Sequence, residues 1–351
     1  MAEVDYPAIL EAAWAQHLAP REPDAPTVIS TFSGCGGSSL GYSMAGYREV
    51  LAVEWDDNAV ATFRLNFPDV PVYHGDIEKL SVEECLRLAG VKTGELDVLD
   101  GSPPCQGFST AGKRNLDDER NQLFREYVRL LRGLQPRAFI MENVSGMVKG
   151  KMRLVFAEAM RELKASGYRI SARLMNAMYF NVPQSRQRMI FVGVREDLGK
   201  EPSHPKAEAM PLTFRMAVHG LPVDTMIPEA SHVWVDEIAR DTKWVKRALV
   251  MSPGEKVVPD RASGIRLFWD KPCPTIQKNA PPGCAPYVRN SMVHPSQPRT
   301  PSIREMARCQ SIPDEFRFVD GLTEGMHRIG NSVPPLFMRA IAGHVRREIL
   351  T

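Results

Sequence analysis

Thr27-Val28-Ile29-Ser30-Thr31-Phe32-Ser33-Gly34-Cys35-Gly36-Gly37-Ser38-Ser39-Leu40-Gly41 reads as a β-branched strand, a glycine-rich turn and the opening of a helix. β-branched side chains fit a pleated, buried surface. Glycines let the main chain bend into left-handed conformations and let a ligand approach it, and a helix start supplies N–H groups with no partner inside the helix. A carboxylate, Glu54, closes the next apolar run, 20 residues after Gly34. That spacing suits an acid gripping ribose hydroxyls in an open α/β sheet. Trp55 beside it is placed to stack on a purine, and Asp76-Ile77 after a third short run is placed to edge it. The dinucleotide fingerprint itself is not completed, because Ser39 stands at its third glycine position. A glycine turn without a ligand is the alternative at this turn alone. Acids at two successive strand ends favour the ligand.

Working outward, the text alternates in the manner of an α/β sheet. Strands are expected over 27–32, 50–54, 70–73, 96–100 and 138–142, and helices from the turn to residue 44 and over 58–66 and 120–134. Residues 168–177 and 188–194 read as a closing hairpin-like pair. Residues 1–26 hold a short apolar helix, 8–18, and a proline-rich link, an appendage to the main domain of 27–194. Beyond 194 the rhythm stops. From Pro272 to Pro301 eight of thirty residues are proline, which rules out long helices and central strands there. Residues 195–300 therefore read as a loop-dominated small domain, and helical periodicity returns in 301–351, over 302–309 and 334–349. There is no internal repeat.

Three further motifs carry chemistry. Gly101-Ser102-Pro103-Pro104-Cys105-Gln106-Gly107-Phe108-Ser109 follows the strand over 96–100, so it lies beyond a strand's carboxyl end, where ligands bind in open sheets. Two prolines stiffen the chain just before Cys105 and present its thiol as a nucleophile; a buried small residue is the plainer reading of a lone cysteine. Met141-Glu142-Asn143-Val144 puts Glu142 at the end of an apolar strand, a partly desolvated setting that favours a proton-holding general acid over a solvated surface acid. In Pro183-Gln184-Ser185-Arg186-Gln187-Arg188, strand alternation would point Arg186 and Arg188 the same way, as a pair for a carboxylate, a phosphate or a base edge, or else as solvated charges.

Composition sets the bounds. A chain of 351 residues, 43% hydrophobic and 25% charged, is long enough for one large domain or two ordinary ones and too apolar for wholesale disorder. Lys and Arg number 44 against 42 Asp and Glu, so net charge alone does not announce a nucleic-acid binder. The six cysteines show no CxxC spacing, which argues against a zinc site and a disulfide framework. No membrane span appears, and the first residues are acidic where an export signal is basic. A soluble cytoplasmic protein with reduced thiols is expected.

Taken together the motifs resemble the DNA (cytosine-5)-methyltransferases, from Thr27 almost to the end of the chain. FSGCGG is similar to that family's cofactor loop, PPCQGFS to its nucleophile loop, ENV to its proton donor and QSRQR to its arginine pair. Arg304 to Pro313 and Arg328 to Pro335 are similar to its two C-terminal motifs. Ser30-Thr31 departs from the acid and aliphatic that commonly precede the Phe, and Ile312 replaces the usual aromatic. The resemblance implies a Rossmann-like methyltransferase domain, an irregular target-recognition domain over 195–300, S-adenosylmethionine as cofactor (S-adenosylhomocysteine as product), no metal and double-stranded DNA as partner. A cognate restriction endonuclease is a candidate companion that the sequence leaves undecided. It implies catalytic roles for Cys105, Glu142, Arg186 and Arg188, with Arg186 holding the base carbonyl and orienting Glu142, and Arg188 steadying Cys105. It places the cofactor against Phe32, Ser33, Gly34, Cys35, Gly36, Gly37, Glu54, Trp55, Asp76, Ile77, Asp100, Pro104, Leu123, Asn331, Ser332 and Val333, and the substrate against Gln106, Ser109, Asn143 and Gln184.

Three other readings remain. A tRNA cytosine-5 methyltransferase would use the same scaffold, although about a hundred residues of recognition region favour DNA. A nicotinamide-dependent dehydrogenase is disfavoured by Ser39 and by the lack of a histidine near Cys105. An inactive DNA-binding regulator would have no use for Cys105, Glu142 and Arg186.

Overall fold

Seven β-branched and apolar runs form one sheet in the order β3-β2-β1-β4-β5-β7-β6. The strands are β1 (Thr27–Thr31), β2 (Arg48–Glu54), β3 (Val72–His74), β4 (Val98–Gly101), β5 (Ala138–Val144), β6 (Tyr168–Asn176) and β7 (Gln187–Arg195). This is a computed structural model, and it describes residues 4–104, 119–148, 152–221, 250–256, 265–277, 292–297 and 300–351. Cys105, Gln106 and Ser109 lie outside the described residues. β1 to β5 pair in parallel, and β7 runs antiparallel to both β5 and β6. The closing pair expected over 168–177 and 188–194 is thus present.

The helices explain the burial. α2 (Gly37–Met44), α3 (Asp57–Asn66), α4 (Val82–Ala89), α5 (Glu119–Leu134) and α6 (Met152–Lys164) connect the strands, following α1 (Tyr6–Leu18) at the N-terminus. Every residue of β1 is buried, as a parallel strand covered on both faces requires. Ile29, Leu51, Leu99, Phe139, Met141 and Phe191 of the sheet pack with Tyr127, Leu130, Leu131 and Leu134 of α5 in one core. Truncating Phe139 to alanine in such a core costs about 3–5 kcal/mol. α4 and α6 escape the sequence reading. α4 carries a cue for its start, because the Ser81 side chain accepts from Glu84 N–H.

The chain divides into two compact units: Gln16–Asn176, Gln187–Ala207 and Phe337–Thr351 form the unit that holds the sheet, and Met1–Ala15, Ala177–Arg186 and Glu208–Leu336 form the other. Within the sheet unit the order reverses between β1, which leads to β2 and β3 on one side, and β4, which leads to β5 on the other. Ligands bind in open sheets beyond the strand ends at such a switch point. The FSGCGG turn leaves the end of β1 and Ser102-Pro103-Pro104 leaves the end of β4, so the fold brings the turn and these three residues to that crevice. The second unit holds short bridged segments, Gln184 with Cys273, Lys256 with Ile265 and Arg266 with Val293. Arg266 is buried, and its Nη1 donates to the carbonyls of His294 (2.8 Å), Pro295 (3.2 Å) and Gln297 (3.4 Å). It is a strut of this unit.

Candidate active site

β1 ends in a bend that few residues tolerate: Phe32 has φ 55°, in the left-handed region. Gly34 follows at φ 55° and Gly36 at φ 98°. A Cβ on Gly36 would stand 2.3 Å from the Phe67 ring, whereas one on Gly34 would meet nothing within 4 Å. The turn is therefore packed on its inner side and open at Gly34. Glu54, buried at the end of β2, accepts Gly34 N–H at Oε2 (2.8 Å) and the N–H groups of Trp55 (2.9 Å) and Asp56 (3.0 Å) at Oε1. One carboxylate thus holds the glycine turn and its own strand end, with the Trp55 ring exposed beside it. Ser33 N–H donates to Val53 C=O (3.2 Å), and Cys35 is buried.

The segment after β3, where the resemblance implies adenine contacts, is held by local contacts. Asp76 is exposed and accepts Glu78 N–H (3.0 Å), while Ile77 is buried in the core. Arg129 of α5 donates to the carbonyls of Ile77 (3.0 Å) and Leu80 (2.8 Å) and is ion-paired with Glu126 at 2.6 Å. Leu123 packs against the same core. Open space at Gly34, an anchored carboxylate and an exposed indole suit a nucleoside-bearing cofactor.

Asp100 at the end of β4 lies beneath the turn. Its carboxylate accepts Ser38 Oγ–H (2.6 Å) and Tyr42 O–H (3.2 Å), two donors of α2. Burial, with Glu142 nearby adding to it, pushes the Asp100 carboxyl up to about 7. In the sheet unit Asp100 supports the turn from below.

At the next strand the acid and its partner meet. Glu142 is buried on β5 opposite Ile190 of β7, so Arg188 is its diagonal neighbour on one face of the antiparallel pair. Arg188 Nε stands 2.6 Å from Glu142 Oε1. The sequence reading gave the orienting role to Arg186; the guanidinium paired with Glu142 is that of Arg188. Asn143, also buried, donates from Nδ2 to Pro103 C=O (3.0 Å) and accepts Val144 N–H (2.9 Å). It braces the segment that leads through the exposed Pro104 to Cys105.

In the second unit Arg186 is 2% exposed and donates to the carbonyls of Ile276 (3.0 Å) and Gly330 (3.2 Å). β7 begins only at Gln187, so strand alternation does not govern Arg186. Gln184 is fully buried. Its Nε2 donates to Gln310 Oε1 and to Cys309 C=O (3.3 Å), and its Oε1 accepts Ile276 N–H (3.0 Å). Gln310 Nε2 donates in turn to Ser332 C=O. The carbonyls on either side of the exposed Asn331 are thus held by Arg186 and Gln310, with Ser332 and Val333 buried behind. The sequence reading missed Gln310, which carries no signal apart from its place in the Arg304 to Pro313 motif. Among the described residues no group of three or more His, Cys, Asp or Glu could hold a metal ion, and no helix is long and apolar enough to cross a membrane.

Residues 26–347 match the family model of the C-5 cytosine-specific DNA methylases. The chain belongs to this family. Similar relatives include the type II methyltransferase M.XorII of Xanthomonas oryzae pv. oryzae, 31% identical over 92% of this chain and 85% of the relative. The type II methyltransferase M1.HphI of Haemophilus parahaemolyticus is 34% identical over 90% and 85%. Among solved structures, one named for a DNA modification methyltransferase encoded within an E. coli prophage superposes with a TM-score of 0.77, at 27% identity, over 93% of this chain and all of that one. A Spodoptera frugiperda DNMT2 mutant, at 16% identity and a TM-score of 0.66 over 93% of this chain and all of that one, shares the fold. The protein is an enzyme of the DNA cytosine-5-methyltransferase class. In this DNA methylase the sheet positions the glycine turn at the end of β1 and Glu142 near the end of β5.

Proposed function

We propose that the methyl group comes from S-adenosylmethionine bound at the Phe32–Gly37 turn, and that the reaction proceeds through a transient bond between Cys105 and C6 of a cytosine swung out of a specific duplex sequence. The ion pair of Glu142 with Arg188 carries this reading. It supplies a buried carboxyl whose orientation is fixed by a guanidinium, on the strand whose next residue braces the approach to Cys105.

C5 of cytosine is a weak nucleophile. Addition of the Cys105 thiolate to C6, with Glu142 protonating or hydrogen-bonding N3, makes C5 enamine-like. S-adenosylmethionine supplies, when bound, the sulfonium methyl that the activated C5 accepts. Loss of the C5 proton then re-forms the ring double bond and expels Cys105 as thiolate. Glu54 would grip the ribose hydroxyls and Trp55, Asp76 and Ile77 the adenine, with Phe32, Pro104 and Leu123 lining the pocket. Asn331, Ser332 and Val333 would close on the methionine end. Arg188 holds Glu142 in line with N3, and Arg186 and the loop of Gln184 would face the base. Flipping the cytosine costs about a few kcal/mol, which residues 195–300 would offset by phosphate contacts while reading the flanking bases. The protein would act as a monomer in the cytoplasm, on its own or beside a cognate restriction endonuclease.

Bisulfite sequencing of DNA from cells expressing the protein tests the reading and gives the sequence context. Protected cytosines in one recurring context support it. In vitro, tritiated methyl transfer to duplex DNA but not to tRNA is expected; transfer to tRNA alone would replace DNA as the substrate.

A further inference from the structure

The FSGCGG turn is held from above by Glu54, and the residues that hold it from below include one that no motif marks. The first turn of α2 holds two consecutive serines after Gly37, both buried. Ser38 donates to Asp100 of β4 at 2.6 Å, and Ser39 donates to Glu49 Oε1 of β2 at 2.9 Å. β4 and β2 are the two strands that flank β1, and Ser30 of β1 pairs in register with Asp100. The first turn of α2 is therefore tied to the sheet by one carboxyl on each side of the strand that ends in the cofactor turn.

We propose that Glu49 is a positioning residue for cofactor binding, acting with Asp100 as a pair of carboxyls that fix the two serines in the first turn of α2 and, through them, the glycine turn. The proposal rests on the reading that this turn holds S-adenosylmethionine. Asp100 is buried and Glu49 half-buried, so both serine contacts are shielded from competing water. Burial pushes Glu49 up to about 8, with Asp100 adding to it, and Asp100 up to about 7, with Glu142 adding to it. The groups facing Asp100 are Tyr42 of α2, Tyr127 of α5 and Glu142 of β5, and Tyr47 of the turn before β2 packs edge-on against Tyr42. The tyrosines are all pushed upward by burial and stay neutral. Arg346 donates to the carbonyls of Ala45 and Gly46 on that same turn. The Ser38 and Ser39 contacts favour the ionised carboxylates, because a carboxylate accepts more strongly than a carboxylic acid, so ionisation does not release either serine.

The test is calorimetric binding of S-adenosylhomocysteine at pH 7 by wild type, Glu49→Gln, Glu49→Ala and Ser39→Ala, with Tm recorded in the same buffer. Glu49→Gln, which keeps the acceptor for Ser39, should bind within about twofold of wild type. Glu49→Ala and Ser39→Ala should each bind about tenfold more weakly, raising the cofactor KM with little change in kcat. Wild-type affinity in Ser39→Ala would overturn the proposal, and that variant decides it even if Glu49→Ala fails to fold. Wild type that binds no S-adenosylhomocysteine would instead remove the cofactor reading on which it rests.

Discussion

Arg188 Nε lies 2.6 Å from Glu142 Oε1, across the antiparallel pair that β7 makes with β5. A carboxyl that must meet one ring nitrogen gains from a partner that removes its rotational freedom, and an Nε contact from a neighbouring strand does so through two pieces of rigid backbone. Arg188→Ala should lower kcat by about 10²–10³-fold, with Arg188→Lys intermediate because it restores charge without the planar fork. Steady-state methyl transfer to duplex DNA reads this out. Unchanged kcat in Arg188→Ala would remove the orienting role.

Asn143 bonds Pro103 C=O, two residues before Cys105. Asn143→Ala should cut kcat by about tenfold while leaving the cofactor KM within about twofold, since the brace serves the thiol's approach and not the glycine turn. An equal rise in cofactor KM would show that the brace extends to the cofactor side.

Glu54 accepts three backbone N–H groups, one of them from the turn itself. Removing the carboxylate leaves those donors without their acceptor and, in the proposed binding mode, the ribose without its grip. Glu54→Ala should raise the S-adenosylhomocysteine Kd by about 10–100-fold, given the worth of hydrogen bonds to a charged group. Titration calorimetry at pH 7.5 measures it.

Stability should depend on pH with a definite sign. A carboxyl raised in the folded protein costs stability as pH climbs from its ordinary value to the raised one. Asp100 (3.8 to about 7) and Glu49 (4.5 to about 8) therefore weaken the fold progressively toward pH 8. His17 and His204, each pushed from 6.5 to about 4 by burial, weaken it as pH falls through that range. Tm should peak below neutrality and decline on both sides. Glu49→Gln should raise Tm at pH 8.5 by on the order of 5 °C and change it little at pH 5. Equal shifts at both pH values would assign the gain to packing instead of ionisation.

Much of the sheet was legible in the sequence because its strands are short, apolar and end in motifs, as at Thr31, Glu54 and Glu142. α4 was missed although Ser81 and Glu84 mark its start, since eight residues give little periodicity to read. The turn and its acid were visible as spacing; their hydrogen bonds were not, because Gly34 and Glu54 meet only after the sheet forms. Strand alternation suggested one role for both arginines, yet β7 starts between them, and Arg186 bonds Ile276 and Gly330, far away in sequence. Gln184 looked like a substrate contact until its amide proved to be bonded at both ends. Ser30 showed that an acid was absent from β1, but pairing alone reveals that Glu49 and Asp100 stand on the strands either side.

The most direct measurement of the chemistry is trapping on duplex DNA containing 5-fluorocytosine at the target position, with S-adenosylmethionine present. Fluorine cannot leave C5 as the proton does, so the bond from Cys105 to C6 should persist after methyl transfer. The expected result is a denaturation-resistant protein–DNA species whose linked peptide contains Cys105, absent in Cys105→Ser. Continued methylation of ordinary cytosine DNA by Cys105→Ser, or no linked species from an otherwise active wild type, would contradict the account.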